Sequence, residues 1–155
     1  MNKKIIILLI SVLFVVGCEN TLNTPTSKVE SFLNKYQKLD KNVLLDLDNI
    51  IDNNKDLNKK QKEEYKELLK KQYQNLSYKI KSEEVEKNVS IVETEIEVLN
   101  YSNIKEDNID KKIDKMKNVE EKKKYEITFY LNKEKGIWVI EKLNDDDYLK
   151  INGLY

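Results

Sequence analysis

Apolar residues recur through the first half of the chain at the three- and four-residue spacing of amphipathic helices. The first stripe consists of Val29, Phe32, Leu33 and Tyr36. Thr24 suits a capping position and Pro25 suits a first helical turn, so the first helix is predicted to begin there. A capping box from Ser27 to Glu30 offers a competing, later start.

Two further amphipathic helices are predicted. One begins after a break near Asp40 and ends at residues 52–54, and its apolar face consists of Val43, Leu44, Leu47, Ile50 and Ile51. Asn58, followed by Gln61, predicts the cap of the other helix. The apolar positions of that helix are Tyr65, Leu68, Leu69, Tyr73 and Leu76.

The periodicity changes from helical to alternating after Ser77, which predicts strands. A first strand runs through Val85 to a turn at residues 87–88. The next strand, reaching about Tyr101, has Val92, Thr94, Ile96 and Val98 on one side and Glu93, Glu95 and Glu97 on the other. We expect the apolar side to pack on the helices and the glutamates to face solvent.

The rest of the chain predicts an antiparallel meander with one helical insertion. Residues 103–122 contain loosely helical apolar spacing, residues 125–131 alternate as a strand, and residues 137–140 form the most apolar strand. Gly136 lies in the hairpin loop between those strands. Asp145, Asp146 and Asp147 suit the start of a short final helix. Helices followed by a meander predict one α+β domain over residues 24–155.

A largely apolar run lies near the start of the chain. Residues 5–16 are apolar except for Ser11, and Lys3 and Lys4 precede them. The run has the length of a signal-peptide core and is too short to span a bilayer comfortably. Residues 1–17 are therefore predicted to be a signal peptide, and residues 18–23 a polar tether.

The four residues at the end of this run resemble a bacterial lipobox, and they are Val15, Val16, Gly17 and Cys18. The resemblance implies diacylglyceryl transfer to the Cys18 thiol and signal cleavage between Gly17 and Cys18. Two acyl chains hold a protein stably at a membrane, whereas one chain does so only marginally. The alternatives are an ordinary buried thiol at the end of a signal peptide and a chance match to the lipobox inside an uncleaved anchor.

Composition excludes several classes of function. The chain has 28 basic and 28 acidic residues, no histidine, one cysteine and three glycines. Without histidine the commonest general base and metal ligand are missing, and the glycine count argues against a phosphate-binding loop. Balanced charge also argues against a nucleic-acid partner. We therefore predict no cofactor, no metal and no catalytic residue.

Two acidic groups and the aromatic residues are the remaining candidates for chemistry. Asp46, Asp48 and Asp52 lie on a predicted helix without glycine and are interpreted as a solvated helix face. The run at residues 145–147 lacks a terminal glutamate at the spacing of a calcium loop and is interpreted as favourable charge at a helix N-terminus. Most of the nine tyrosines lie on predicted apolar faces, where core packing is expected. Trp138 is also expected in the core, whereas Tyr101, Tyr130 and Tyr148 are the candidates for exposed contacts.

Several segments together carry a family resemblance. After the lipobox they are Thr24-Pro25, Tyr36-Gln37-Lys38-Leu39-Asp40, Leu76-Ser77-Tyr78-Lys79-Ile80 and Ile137-Trp138-Val139-Ile140. In this order they resemble small uncharacterised lipoproteins of low-GC Gram-positive bacteria, whose exported domains are similar to the cystatin-like, or nuclear-transport-factor-two-like, cone fold. The resemblance implies a curved antiparallel sheet packed against N-terminal helices, with a pocket between them.

The predicted function is a non-catalytic binding or interaction module. It is held on the extracytoplasmic face of the cell membrane by the lipid on Cys18, and it takes a protein partner or a small apolar ligand. Two alternatives stay open: a carboxylate- or tyrosine-based enzyme of the same superfold, and a purely structural component of the bacterial envelope.

Overall fold

The computed structural model describes residues 22–155, and within this range five helices and four strands form an α+β fold. The elements are α1 (Pro25–Gln37), α2 (Lys41–Asp52), α3 (Lys59–Asn75), β1 (Ser77–Glu86), β2 (Val89–Leu99), α4 (Ile109–Lys117), β3 (Lys122–Glu134), β4 (Ile137–Ile140) and α5 (Asp145–Ile151). The strands form one antiparallel sheet in the order β1-β2-β3-β4. The predicted α+β class and the antiparallel meander are confirmed.

Local capping chemistry starts the helices where the sequence predicts. Thr24 and Ser27 form a reciprocal capping box at α1, with Pro25 in the first turn, so the later start is not used. Asn58 and Gln61 form a second such box at α3. Asp40 caps α2 by accepting a hydrogen bond from the backbone N–H of Asn42 at 3.0 Å.

The helices cover one face of the sheet. Helix α1 packs on β1, β2 and β4, while α3 and α5 contact β2, and α2 and α4 lie outside against α3. The core-facing residues of the sheet are almost fully buried and include Val92, Ile96, Ile127, Phe129 and Leu131. Trp138 lies in the same cluster, as predicted. A second cluster beneath α4 contains Leu68, Leu99, Tyr101, Ile113 and Met116.

The opposite face of the sheet carries ion pairs. Glu95 accepts a hydrogen bond from Lys124 at 2.9 Å and lies 3.7 Å from Lys81. Glu97 lies 3.9 Å from Lys122. The predicted placement of these glutamates, away from the helices, is confirmed.

Three details differ from the sequence prediction. Strand β2 ends at Leu99, and Tyr101, expected at the surface, is only 1% exposed. Its backbone N–H donates to Gly153 O at 2.8 Å, so the chain terminus covers it. Ile50, expected in the core face of α2, is 68% exposed because α2 packs through Val43, Leu47 and Ile51.

A buried side-chain amide joins three segments at one end of the sheet. Gln72 of α3 accepts from Leu99 N–H at 2.8 Å and donates to Leu99 O at 3.2 Å and Ile151 O at 3.4 Å. Gly153, with φ of +69°, passes directly over this junction. A Cβ on Gly153 would overlap Leu99 O and Gln72 Nε2, so the close approach requires glycine.

We predict that Gly153→Ala destabilises the chain by about 2 kcal/mol or more, because left-handed strain adds to a clash with the β2 backbone. Urea unfolding measures the change. Gly136→Ala is the matched control, since Gly136 also has positive φ but no atom lies within 4 Å of an added Cβ. Equal losses in the two variants would contradict the packing argument.

Candidate functional site

The main candidate site is a pocket of about 460 Å³ bounded by α1, α2, α5 and the C-terminal part of α3. Its apolar lining consists of Phe32, Tyr36, Val43, Leu47, Ile50, Tyr73 and Tyr148. Its polar lining consists of Lys35, Asn42, Asp46, Asn49 and Asn152. The volume is in the range of small-molecule sites, and the mixture of an apolar wall with a few polar groups is typical of them.

A tight turn joins two of the helices that line this pocket. Leu39, with φ of +52°, and the capping residue Asp40 turn the chain between α1 and α2. Helix α2 then packs on α3 rather than on the sheet. Its residue Ile50 stands at the pocket with most of its surface exposed. The apolar face of α2 is therefore only partly covered by the rest of the described chain.

Aromatic rings form the floor of the pocket. Tyr36 and Tyr73 meet edge to face with ring centroids 5.0 Å apart, and Phe32 lies 5.3 Å from Tyr36. Phe32 also contacts Phe129 of the sheet at 5.7 Å, which links the floor to the main core. Such pairs hold ring orientation, so the floor has a defined shape.

The hydroxyls of Tyr36 and Tyr73 stay protonated at neutral pH. Burial raises the pKa of Tyr36 well above its ordinary value, and its neighbours Tyr73 and Tyr148 add to the shift. Burial also raises the pKa of Tyr73 to about 12, with a contribution from Asp46. Tyr73 donates a hydrogen bond to Asn152 Oδ1 at 2.9 Å. The pocket therefore offers a ligand apolar surface and neutral hydroxyl groups.

A second, smaller groove lies on the charged face of the sheet. It has a volume of about 220 Å³ and is lined by Ser77, Tyr78, Lys79, Glu95, Glu97 and Lys124. The hydrogen bond from Lys124 lowers the pKa of Glu95. Glu95 and Lys124 pair with each other, and the remaining charged residues of the lining, Lys79 and Glu97, carry opposite signs, so the groove has no net formal charge to offer a ligand.

Some members of each acidic group of the sequence analysis form ion pairs. Lys66 contacts Asp48 at 3.1 Å and Asp52 at 3.0 Å, and Asp147 contacts Lys150 at 3.0 Å. Asp46 instead lines the pocket. Within residues 22–155 no group of three or more carboxylate or thiol side chains is arranged to hold a metal ion.

The tyrosine predictions are confirmed in part. Tyr73 and Tyr125 are buried and Tyr130 is exposed, as expected. Tyr148 is half-buried and lines the pocket. The family resemblance implied a pocket between the sheet and the N-terminal helices, whereas the described pocket lies between the helices themselves. The wide apolar stripe of α2 was a signal for this location. That stripe exceeds what contact with α3 covers, as the exposure of Ile50 shows.

The predicted lipobox residues Val15, Val16, Gly17 and Cys18 lie outside the described residues. In the part of the chain that the structure describes, no helix is both long and apolar enough to cross a membrane. Comparisons of the chain with protein-family models, with curated proteins and with solved structures find no match in any of the three.

We predict that alkaline pH destabilises the fold through the buried tyrosines. The pKa of Tyr73 rises from 10.0 to about 12 on folding, and that of Tyr101 likewise. Tyrosine ionises at a lower pH in the unfolded chain than at these buried positions. The contribution of the two tyrosines to the free energy of unfolding is therefore complete below about pH 10 and is lost as pH rises toward 12. Over this pH range each of the two tyrosines lowers the free energy of unfolding by up to about 1.4 kcal/mol per pH unit.

Urea unfolding at pH 8 and pH 11 measures this loss. The Tyr73→Phe variant starts from lower stability, because the hydrogen bond to Asn152 is gone. It should then lose less than the unaltered chain over the same pH interval. Identical losses would contradict the role assigned to Tyr73, since the lysines titrate equally in both proteins.

Proposed function

We propose that the chain is a lipid-anchored, non-catalytic binding protein on the extracytoplasmic face of a bacterial cell membrane, and that it binds a small apolar ligand. The pocket of about 460 Å³ between α1, α2 and α5 carries this proposal. Its aromatic floor, apolar walls and polar rim fit a small ring-containing or branched apolar molecule with one or two polar groups.

The finer fold assignment belongs to the same proposal. A cystatin-like cone has N-terminal helices against one face of an antiparallel meander, and α1 and the β1-β2-β3-β4 sheet have this arrangement. The proposed site lies between the helices at one end of that sheet. The fold resemblance supplies no activity, because this superfold hosts many functions.

Binding is better supported than either alternative. A purely structural component needs no pocket. The pocket of this protein is lined in part by exposed and half-buried apolar side chains that a ligand could cover. A tyrosine-based enzyme needs a hydroxyl that ionises near neutral pH, and burial raises the pKa of Tyr36 and of Tyr73. The pocket therefore favours ligand contact over proton transfer.

We expect the pocket to bind N-phenyl-1-naphthylamine, a neutral apolar dye whose emission rises in a low-polarity site. Ile50→Glu should weaken dye binding about tenfold, because it places a charge where the apolar dye must sit. Leu45→Glu is the matched control, since Leu45 is also an exposed apolar residue of α2 but does not line the pocket. Equal binding by both variants, or none by the unaltered chain, would overturn the pocket assignment.

The anchor is tested separately at Cys18. In a bacterial host that expresses the full chain, Cys18→Ser should abolish incorporation of an alkyne fatty-acid analogue and leave the precursor unprocessed or released. Gel mobility and in-gel fluorescence measure both results. Unchanged labelling of the Cys18→Ser variant would refute lipidation at this residue.

A further inference from the structure

We propose that the end of the sheet formed by the β1–β2 and β3–β4 turns is the membrane-facing end, and that it inserts apolar side chains into the lipid interface. The inserting residues, called the tip patch, are Val89, Ile91, Tyr130, Ile137 and Val139. This inference rests on the proposed lipid anchor at Cys18 and adds a second contact between the protein and the bilayer.

The two turns lie side by side at one end of the sheet. The backbone N–H of Lys133 donates to Asn88 O at 2.8 Å, which joins the β3–β4 hairpin to the β1–β2 turn. Val89 is opposite Asn132 in the register, and Asn132 is opposite Val139. Residues from three strands therefore reach the same edge of the molecule.

The tip patch lies on the face of the sheet that the helices leave open. Directly opposed residues of neighbouring strands share a face, and Ile91 is opposite Tyr130. Four of the five patch residues are between 41% and 53% exposed: Val89, Tyr130, Ile137 and Val139. Exposed apolar residues gathered in this way mark an interaction surface.

The same face is charged further along the strands. Beyond the patch it carries the ion pairs of Glu95 with Lys124 and of Glu97 with Lys122. Glutamates also border the patch itself, since Glu86 lies opposite Val89, Glu84 opposite Ile91 and Glu134 opposite Ile137. An exposed apolar area with a polar rim is typical of a surface that contacts a membrane or a partner.

The start of the described chain is fixed to this same end. Asn23 Nδ2 donates to Gly136 O at 2.7 Å, and Trp138 N–H donates to Asn23 Oδ1 at 3.0 Å. Only four residues lie between Cys18 and Asn23, so their Cα atoms are five residue steps apart. Five extended steps reach at most about 18 Å. A lipid on Cys18 therefore holds the hairpin tip within that distance of the bilayer.

The opposite end of the sheet cannot lie next to the bilayer at the anchor. Strand β2 has 11 residues, so its Leu99 end lies roughly 33 Å from its Val89 end. That length is well beyond the reach of the tether. Of the two ends of the sheet, the one near the anchor is also the one with the tip patch.

Apolar contact, rather than charge, attracts the tip patch to the bilayer. Lysines and glutamates are equally numerous around the turns: Lys87, Lys133 and Lys135 with Glu84, Glu86 and Glu134. Little net attraction to anionic headgroups follows. Apolar side chains held near the surface by a tether enter the headgroup–acyl boundary to a depth of about 5–10 Å.

A second copy of the chain is the main competing occupant. Strand β4 is a sheet edge, and edges can pair with another chain. Asn23 already accepts the hydrogen bond of Trp138 N–H, which reduces the free length of a strand of only four residues. Pairing of copies along β4 is therefore disfavoured relative to membrane contact.

Quenching by brominated lipid tests the proposal on the processed, lipidated protein. The protein is reconstituted into phosphatidylcholine–phosphatidylglycerol vesicles with or without bromine on the acyl chains. Tyr130→Trp places a reporter in the patch, and Val139→Trp provides a second one. Leu149→Trp is the matched control, because it also replaces an exposed apolar residue but lies on α5, which is joined to the Leu99 end of β2. Trp138 is common to all variants and is subtracted.

We expect bromine to reduce the reporter emission of Tyr130→Trp and of Val139→Trp roughly twofold and to leave that of Leu149→Trp unchanged. Vesicle binding with no quenching at either patch position, or with equal quenching at Leu149→Trp, would overturn the inference and leave the anchor intact. Failure of the lipidated protein to sediment with vesicles would overturn both the anchor and the inference. A vesicle-bound dimer with an unquenched patch would assign the surface to a second copy.

Discussion

The arrangement of helices and sheet in residues 22–155 depends on one buried side-chain amide. Gln72 is fully buried in α3, and its three hydrogen bonds join the end of β2 to the end of α5. An amide buried without partners would cost the fold about 1–3 kcal/mol or more. Its position is therefore tolerated only with Leu99 and Ile151 in place, and this requirement fixes the chain terminus against the sheet.

The shape of the pocket depends on the hydrogen bonds that Gln72 makes. Helix α5 supplies Tyr148 and Asn152 to the lining, and its C-terminal end is held by Gln72 and by the close passage of Gly153. Tyr73, the residue after Gln72, forms the floor and hydrogen-bonds to Asn152. Two adjacent residues of α3 thus have different roles: Gln72 joins β2 to α5, and Tyr73 faces the pocket. A substitution of Gln72 should therefore also disturb the pocket.

Features that depend on nearby residues were predictable from the sequence, and those that depend on docking were not. The caps at Thr24 and Asn58, the turn at residues 87–88 and the alternating face of β2 follow from local chemistry and period. The burial of Tyr101 requires the chain terminus to fold back over it. The pocket likewise requires α5, distant in sequence, to close one side of a helical corner. No local pattern encodes such contacts.

The positions of the pocket and of the proposed anchor bear on the kind of ligand that would bind. Helix α1 runs from Thr24, near the hairpin tip, to Gln37, which donates to Leu76 O at the far end of the sheet. Its pocket residues Lys35 and Tyr36 belong to that far end, roughly 15–20 Å along the helix from its start. With the tip at the bilayer, the pocket stands away from the acyl chains. A ligand would then arrive through water, which favours a small, sparingly soluble molecule over a lipid drawn directly from the membrane.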